Sequence, residues 1–329
     1  MSAPGAARPV VVTGGTGFVG AHLVRRLVAD GVEVHLLGRA ATDGWRLGPV
    51  ADRIVRHDVD LADPASRRSL GALLADVAPG RVFHLAGAPL VAGVGDAVEP
   101  TIAVNVFGSH AVVEAAAAVA GCSIVTIGDA FEYEDLGRQL READADDAQP
   151  PSVHGLTRLT ATRAAHRAGE EVGRVATEGG DGLGSRVSTV RLFSVLGTLD
   201  HPRRLVPRLI EAASTGADVP LSDPSIVRDW VHVDDVIDLL LRAADLRPGP
   251  VPGGRVFNAG SGHAATLGDL VAAVEELTGA TVPARWGAFP PTEHDAGHWV
   301  ADPTHTATVL GWRAAPLTDA LGRVLAATP

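Results

Sequence analysis

Residues 9–20 read PVVVTGGTGFVG, and how this stretch is read decides the fold. A short apolar run ends at Thr13, and Gly14, Gly17 and Gly20 follow at even spacing. The continuation FVGAHLVRRLVADG sets Val19, Leu23, Val24 and Leu27 on one helical face before Gly31 closes it. A strand that turns through glycines into a helix lets backbone approach a pyrophosphate, because glycine has no Cβ and the helix N-terminus carries partial positive charge. The same turn can form with nothing bound. The strand before it and the helix after it favour a dinucleotide site, with Gly14, Thr16, Gly17, Phe18, Val19 and Gly20 as its candidates.

Working outward, VEVHLLGR (32–39) is a second strand, and the rhythm returns in RVFHLAG, SIVTIG, SRVSTVRLF and GRVFNAGS. The Ala-rich AVNVFGSHAVVEAAAAVAG forms a helix between two of these runs. Strands alternating with helices imply an α/β protein with a doubly wound parallel sheet covered on both faces, the Rossmann type. READADDAQPP, TEGGDGLGS and GAFPPTEHDAGHW interrupt the pattern as surface loops or a substrate-side cap. No internal repeat or low-complexity segment is visible.

The chain has 329 residues, 46% of them hydrophobic, enough for one or two domains with a large core. The net charge of -11, without a basic stripe, argues against a nucleic-acid partner. A single cysteine, Cys122, excludes an intrachain disulfide. The opening residues lack the charged and apolar regions of a secretory signal, and no apolar run approaches a membrane span. A cytoplasmic location is expected.

The second strand ends in LLGR, with no acid to take a ribose 2′-hydroxyl. Arg39 suits a 2′-phosphate instead, so NADP is expected, with NADPH preferred and NADH possible; a plain solvated arginine is the alternative. RHDVD offers Asp58 and Val59 near the adenine. HLAG puts Leu85, Ala86 and Gly87 at the carboxyl end of the fourth strand, where open parallel sheets bind ligands.

TGGTGFVG, HLAG, NVFGSH, RLFSVLG, VRDWVHVDDV, VFNAGSG and ADPTHTATVLGW, in this order, resemble the landmarks of extended short-chain dehydrogenases/reductases of the NDP-sugar epimerase and dehydratase type. The resemblance implies a nicotinamide cofactor, with Asn105 holding the active-site geometry. It also implies a Rossmann domain over 1–195, rejoined by 226–262, and a smaller C-terminal substrate-binding domain from 196–225 and 263–329.

The same resemblance implies a serine, a tyrosine and a lysine for proton chemistry. Aligned on that pattern, HGLTR places His154 at the tyrosine position and Arg158 at the lysine position, and IGDAFEY places Asp129 at the serine position. The sequence contains no lysine, and its single tyrosine is Tyr133. Arginine is a permanent cation that can hold ribose hydroxyls but cannot relay protons near neutral pH. Histidine can, and an acidic partner such as Asp129 would favour its charged form. His154 is therefore either a proton donor or a packing residue beside a substrate that supplies its own proton. Substrate contacts are expected from Tyr133, Ser194 and Arg228, with a packing role as the alternative for Tyr133. His232 suits packing at a helix start. His294, Asp295 and His298 have ligand-like spacing, yet no helix or further cluster supports a metal, so no metal site is expected.

A reductase needs only a carbonyl held near the nicotinamide with its oxygen polarised. A ketone with a neighbouring phenol is activated by its own internal hydrogen bond. The expected partner is accordingly a small aromatic ketone of polyketide type, reduced to a secondary alcohol in antibiotic biosynthesis. The alternatives are an NDP-sugar epimerase- or dehydratase-like enzyme and a non-catalytic NADP-binding sensor or scaffold.

Overall fold

The computed structural model describes residues 8–42, 44–88, 98–178, 186–290, 295 and 297–327, without the side chains of 172–178. The chain divides into two compact units. The first holds Met1–Gly128, Val153–Val190 and Leu240–Val256; the second holds Asp129–Ser152, Arg191–Leu239 and Phe257–Pro329.

The first unit opens with β1 (Val10–Thr13), whose four residues are all buried, and α1 (Phe18–Ala29). It continues through β2 (Val34–Gly38), β3 (Val55–Asp58), α2 (Pro64–Val77) and β4 (Arg81–His84). Asp63 starts α2 by accepting a hydrogen bond from the Ser66 amide (2.8 Å), and Pro64 fits the first turn, where no amide donor is needed. Next come α3 (Val98–Ile102), a π-helical turn over Ala103–Gly108, α4 (Ser109–Ala117) and β5 (Ser123–Asp129). Then follow α5 (Val153–Glu178) and β6 (Val187–Leu192). β1 pairs in parallel with β2 and β4, β2 with β3, and β4 with β5. Val11, Leu37, Val82 and Ile124 from these strands pack with Leu70 and Leu74 of α2 and Val112 of α4 in one apolar core.

Past β6 lie β7 (Ser194–Leu196), α6 (Leu205–Thr215), β8 (Val219–Pro220), β9 (Val227–Arg228), β10 (Trp230–His232) and α7 (Val233–Asp245). β11 (Val256–Ala259) completes a main sheet with strand order β11-β6-β5-β4-β1-β2-β3. Order reverses beside β1 and β4, the switch point at which such sheets bind ligands. In the second unit α6 and α8 (Leu267–Thr278) bury Leu209, Leu270 and Val274 in a core of their own, with Leu321 of α10 (Leu317–Ala326); α9 (Thr304–Leu310) precedes α10.

This division differs from the sequence expectation at 129–152, 191–195, 226–239 and 257–262, which cluster with the second unit. The physical reason for the first is a buried network. Glu132 pairs with Arg191 at 2.7 Å, the Tyr133 hydroxyl donates to Asn258 Oδ1 at 2.6 Å, and Leu140 bridges Ala301. For 226–239, the buried Asp229 carboxylate accepts from the amides of Ser261 (2.7 Å), Gly262 (2.9 Å) and Ala301 (3.1 Å), binding its segment to the C-terminal part of the chain.

Candidate cofactor and active site

A cavity of about 780 Å³ lies in the first unit at the carboxyl ends of the strands. Gly14, Gly15, Thr16 and Gly17 form one wall, and Leu85, Ala86, Gly87 and Ala88 another. Arg39, Asp58 and Val59 complete the set of sequence candidates that line it. Gly14 adopts φ +71°, and a Cβ there would stand 2.6 Å from the Ala86 amide nitrogen. Only glycine lets β1 run this close to the end of β4.

Gly20, Phe18 and Val19 play a different part from the one expected, since none of them lines the cavity. Gly20 is buried, and a Cβ on it would overlap the Gly14 carbonyl, so its role is the close packing of α1 on the turn. Phe18 and Val19 are half-buried in the first turn of α1, with Phe18 edge-on to His22. The sequence reading missed Gly15, Thr42, Arg56, His57, Thr101 and Val104, all of which line the cavity. Cross-strand registers such as Leu36 with Arg56 and Leu37 with His57 bring the β3 residues there, which no local pattern reveals.

Next to the Leu85–Ala88 wall sits His84, a histidine that no local pattern singles out. The Ala86 amide donates to Thr13 Oγ1 (3.2 Å), which lies 2.7 Å from His84 Nδ1, and Ser109 Oγ lies 2.8 Å from His84 Nε2, so a neutral ring donates to one hydroxyl and accepts from the other. His84 is buried, and burial, with Arg158 as the second cause, pushes its pKa down to about 3, so it is neutral across the working range.

Asn105 also does not line the cavity but fixes it from behind. Its Oδ1 accepts from the Ala88 amide (2.8 Å), its Nδ2 donates to Thr157 Oγ1 (3.0 Å), and the Thr157 hydroxyl donates to the His154 carbonyl (2.9 Å). The chain of bonds ties the first turn of α5, where His154 sits half-buried, to the cavity wall. Arg158, one turn on, stands against Gly87: a Cβ on Gly87 would overlap its guanidinium. His154 and Arg158 are thus held by the same helix turn beside the Leu85–Ala88 segment.

Asp129 is half-buried in the second unit and starts a short turn, accepting from the Phe131 amide at 2.9 Å. Tyr133 takes the packing role. It is fully buried, donates to Asn258 and accepts from Arg191 Nη1 (2.9 Å), and burial drives its pKa above the ordinary tyrosine value. A phenol so enclosed is a core residue of the second unit and not a substrate contact. Ser194 is half-buried on β7, its amide donating to the Asp229 carbonyl (2.9 Å). The Arg228 guanidinium donates to Asp295 at 3.3 Å and to the Val227 carbonyl at 2.8 Å. His232 is buried and accepts from the Asp234 amide (3.1 Å) at the start of α7. His294 lies outside the described residues; among those described, no group of three or more metal-ligating side chains occurs. Among them, too, no helix is long and apolar enough to cross a membrane.

A glycine-walled cavity at the switch point of a parallel sheet, opening on a helix N-terminus, has room for close backbone approach and defines a dinucleotide-binding α/β protein. The chain belongs to the NAD dependent epimerase/dehydratase family, whose model matches residues 10–260. It is 33% identical over 322 residues to a dTDP-6-deoxy-L-talose 4-dehydrogenase (NAD(P)(+)) of Kitasatospora kifunensis, covering 95% of this chain and 93% of the relative. It is 26% identical over 329 residues to a UDP-glucose 4-epimerase of Neisseria meningitidis, covering 92% of each. Among solved structures, MoeE5 in complex with UDP-glucose and NAD superposes with a TM-score of 0.76 at 27% identity over 97% of each chain. The UDP-glucose 4-epimerase of Thermotoga maritima shares the fold with a TM-score of 0.81 at 21% identity, again over 97% of each chain. The protein is an enzyme of this NAD(P)-dependent family.

Proposed function

We propose that this enzyme moves a single hydride between NAD(P) and a ketone or secondary-alcohol carbon, and that its substrate is a nucleotide sugar. The observation that carries the reading is the end-to-end similarity to a dehydrogenase named for a dTDP-sugar. The nucleotide-sugar class has better support than the aromatic ketone expected from sequence, because relatives and bound neighbours alike are named for nucleotide sugars.

The cofactor, when bound, supplies or accepts the hydride; the remaining work falls to the chain. Gly14, Gly15 and Gly17 with the N-terminus of α1 hold the pyrophosphate. Arg158, beside Gly87, holds ribose hydroxyls and sets a positive field at the reacting end without moving a proton. Thr157, Asn105 and Ala88 keep His154 in register with that end. His154 donates the proton to the forming alkoxide, or the substrate does so itself.

A second reading, reduction of an aromatic ketone of polyketide type, is favoured by one observation. Residues 154 and 158 are histidine and arginine in a chain without lysine, so the arginine cannot relay protons and a ketone polarised by its own neighbouring phenol asks least of the histidine. The deciding experiment offers the protein NADPH with 4-keto-6-deoxy nucleotide sugars and, separately, polyphenolic ketones, following cofactor absorbance and product mass. Turnover of the sugar panel alone upholds the proposal. Turnover of the phenolic panel alone replaces it with the second reading, and cofactor binding without turnover of either marks a sensor or scaffold.

A further inference from the structure

Two histidines on neighbouring strands form a pair, one member of which lines the cavity, that the hydride reaction does not use. His35 of β2 and His57 of β3 stack with ring centroids 5.1 Å apart and planes 15° from parallel. His35 Nδ1 lies 2.9 Å from His57 Nε2, and His35 Nε2 lies 3.0 Å from Glu33 Oε1. A carboxylate only accepts, so His35 Nε2 carries the hydrogen, and when His35 is neutral its Nδ1 is the acceptor. His57 Nε2 must then donate, and in neutral His57 the Nδ1 is a bare lone pair. His57 lines the cavity together with Arg39, Thr42 and Arg56, and the Arg56 guanidinium reaches Gly44 in the loop that carries Arg39 and Thr42.

We propose that His57 binds a phosphate on the cofactor ribose as an imidazolium, taking up one proton from solvent as NADP binds, with Glu33 and His35 supporting the charge. This deepens the dinucleotide-site reading and rests on it. The new proton sits on His57 Nδ1 and bonds the phosphate, while Nε2–H keeps its bond to His35. Glu33, 62% exposed at its side chain, supplies the compensating charge two bonds away. Arg39 and Arg56 add fixed positive charge at the same end of the cavity. The two carboxylates there are engaged, Asp58 by the Ala40 amide (2.8 Å) and Asp60 by the Ala62 amide (2.9 Å). Burial first, and the His35 ring second, lower the His57 pKa in the free protein, so the site is neutral and able to accept a proton before the ligand arrives.

The test is calorimetric titration of the full chain with NADP+ and with NAD+ at neutral pH, in buffers of different ionisation enthalpy, which reads proton uptake directly. NADP+ should bind with uptake approaching one proton and NAD+ with none. His57→Gln, which keeps a donor for His35, should abolish the uptake and lower NADP+ affinity far more than NAD+ affinity. The phosphate has its own pKa near 6, so protonation of the ligand is common to wild type and variant and cancels in their difference. Above the pKa of free His57, the NADP+ affinity of wild type relative to the variant should fall by up to about tenfold per pH unit. Glu33→Gln, at an exposed site, should reduce the uptake without unfolding the strand. Equal uptake in wild type and His57→Gln, or NADP+ binding without uptake, overturns the proposal. NAD+ binding without NADP+ binding overturns it and leaves the dinucleotide site standing. Binding of neither removes the cofactor reading itself.

Discussion

The Asn105–Thr157 bond is the joint through which α5 steers the cavity wall, and a double-mutant cycle measures it. Asn105 is fully buried and Thr157 is 4% exposed, so neither regains water when its partner is removed. Asn105→Ala deletes two hydrogen bonds, each worth about 0.5–1.5 kcal/mol net, and leaves the Ala88 amide and a small void, for a loss of about 2–4 kcal/mol. Thr157→Val keeps the volume but strands Asn105 Nδ2, for about 1–3 kcal/mol. Because both substitutions delete the same bond, the double variant should be less destabilised than the sum, by about 1 kcal/mol. Urea denaturation of the four proteins gives these values, and cofactor titration gives a second reading. If roughly 1 kcal/mol of ordering in the Ala88 segment is lost, affinity for NAD(P) should fall about fivefold in Asn105→Ala. Additive effects within about 0.3 kcal/mol, or wild-type cofactor affinity in both single variants, would refute the joint.

Two further outcomes follow from the same geometry. Arg39→Ala should weaken NADPH binding by about 1.5–3 kcal/mol while sparing NADH, measured by fluorescence titration; equal losses would remove the preference for the phosphorylated cofactor. His84, with a folded pKa near 3 against 6.5 unfolded, binds its proton only in the unfolded chain between those values. Its contribution to stability is therefore intact above pH 6.5 and lost as the pH falls towards 3, at up to about 1.4 kcal/mol per pH unit. His84→Asn should show a shallower acid slope than wild type in denaturant midpoints, and identical slopes would mean that the histidine is solvated.

The parts of the site that were legible in sequence are those where backbone alone does the work. The glycine turn, the bare end of β2 at Arg39 and the Leu85–Gly87 segment are set by local spacing, because a missing Cβ or an absent acid acts at its own position. The remaining parts depend on pairing. Arg56 and His57 enter the cavity through register with Leu36 and Leu37, and the bonds of His84 to Thr13 and Ser109 join residues far apart in the chain. Gly20 was recognised as part of a motif whose chemistry is shared out unevenly: its partner is the Gly14 carbonyl and not the ligand. For Tyr133 the loop alone leaves substrate contact and packing both open, because Arg191 and Asn258, which hold its hydroxyl, lie far away in the chain.

The enclosure of Tyr133 also makes it a chemical reporter. It is the chain's only tyrosine, and with its ring sealed and its hydroxyl bonded on both sides, the native protein should resist nitration and iodination. Each modified ring then records one opening of the second unit. The time course of tyrosine labelling, read by mass spectrometry on an otherwise unaltered chain, becomes a clock for the breathing of that half of the molecule. Glu132→Gln, which weakens the ion pair beneath the ring, should make the clock run faster.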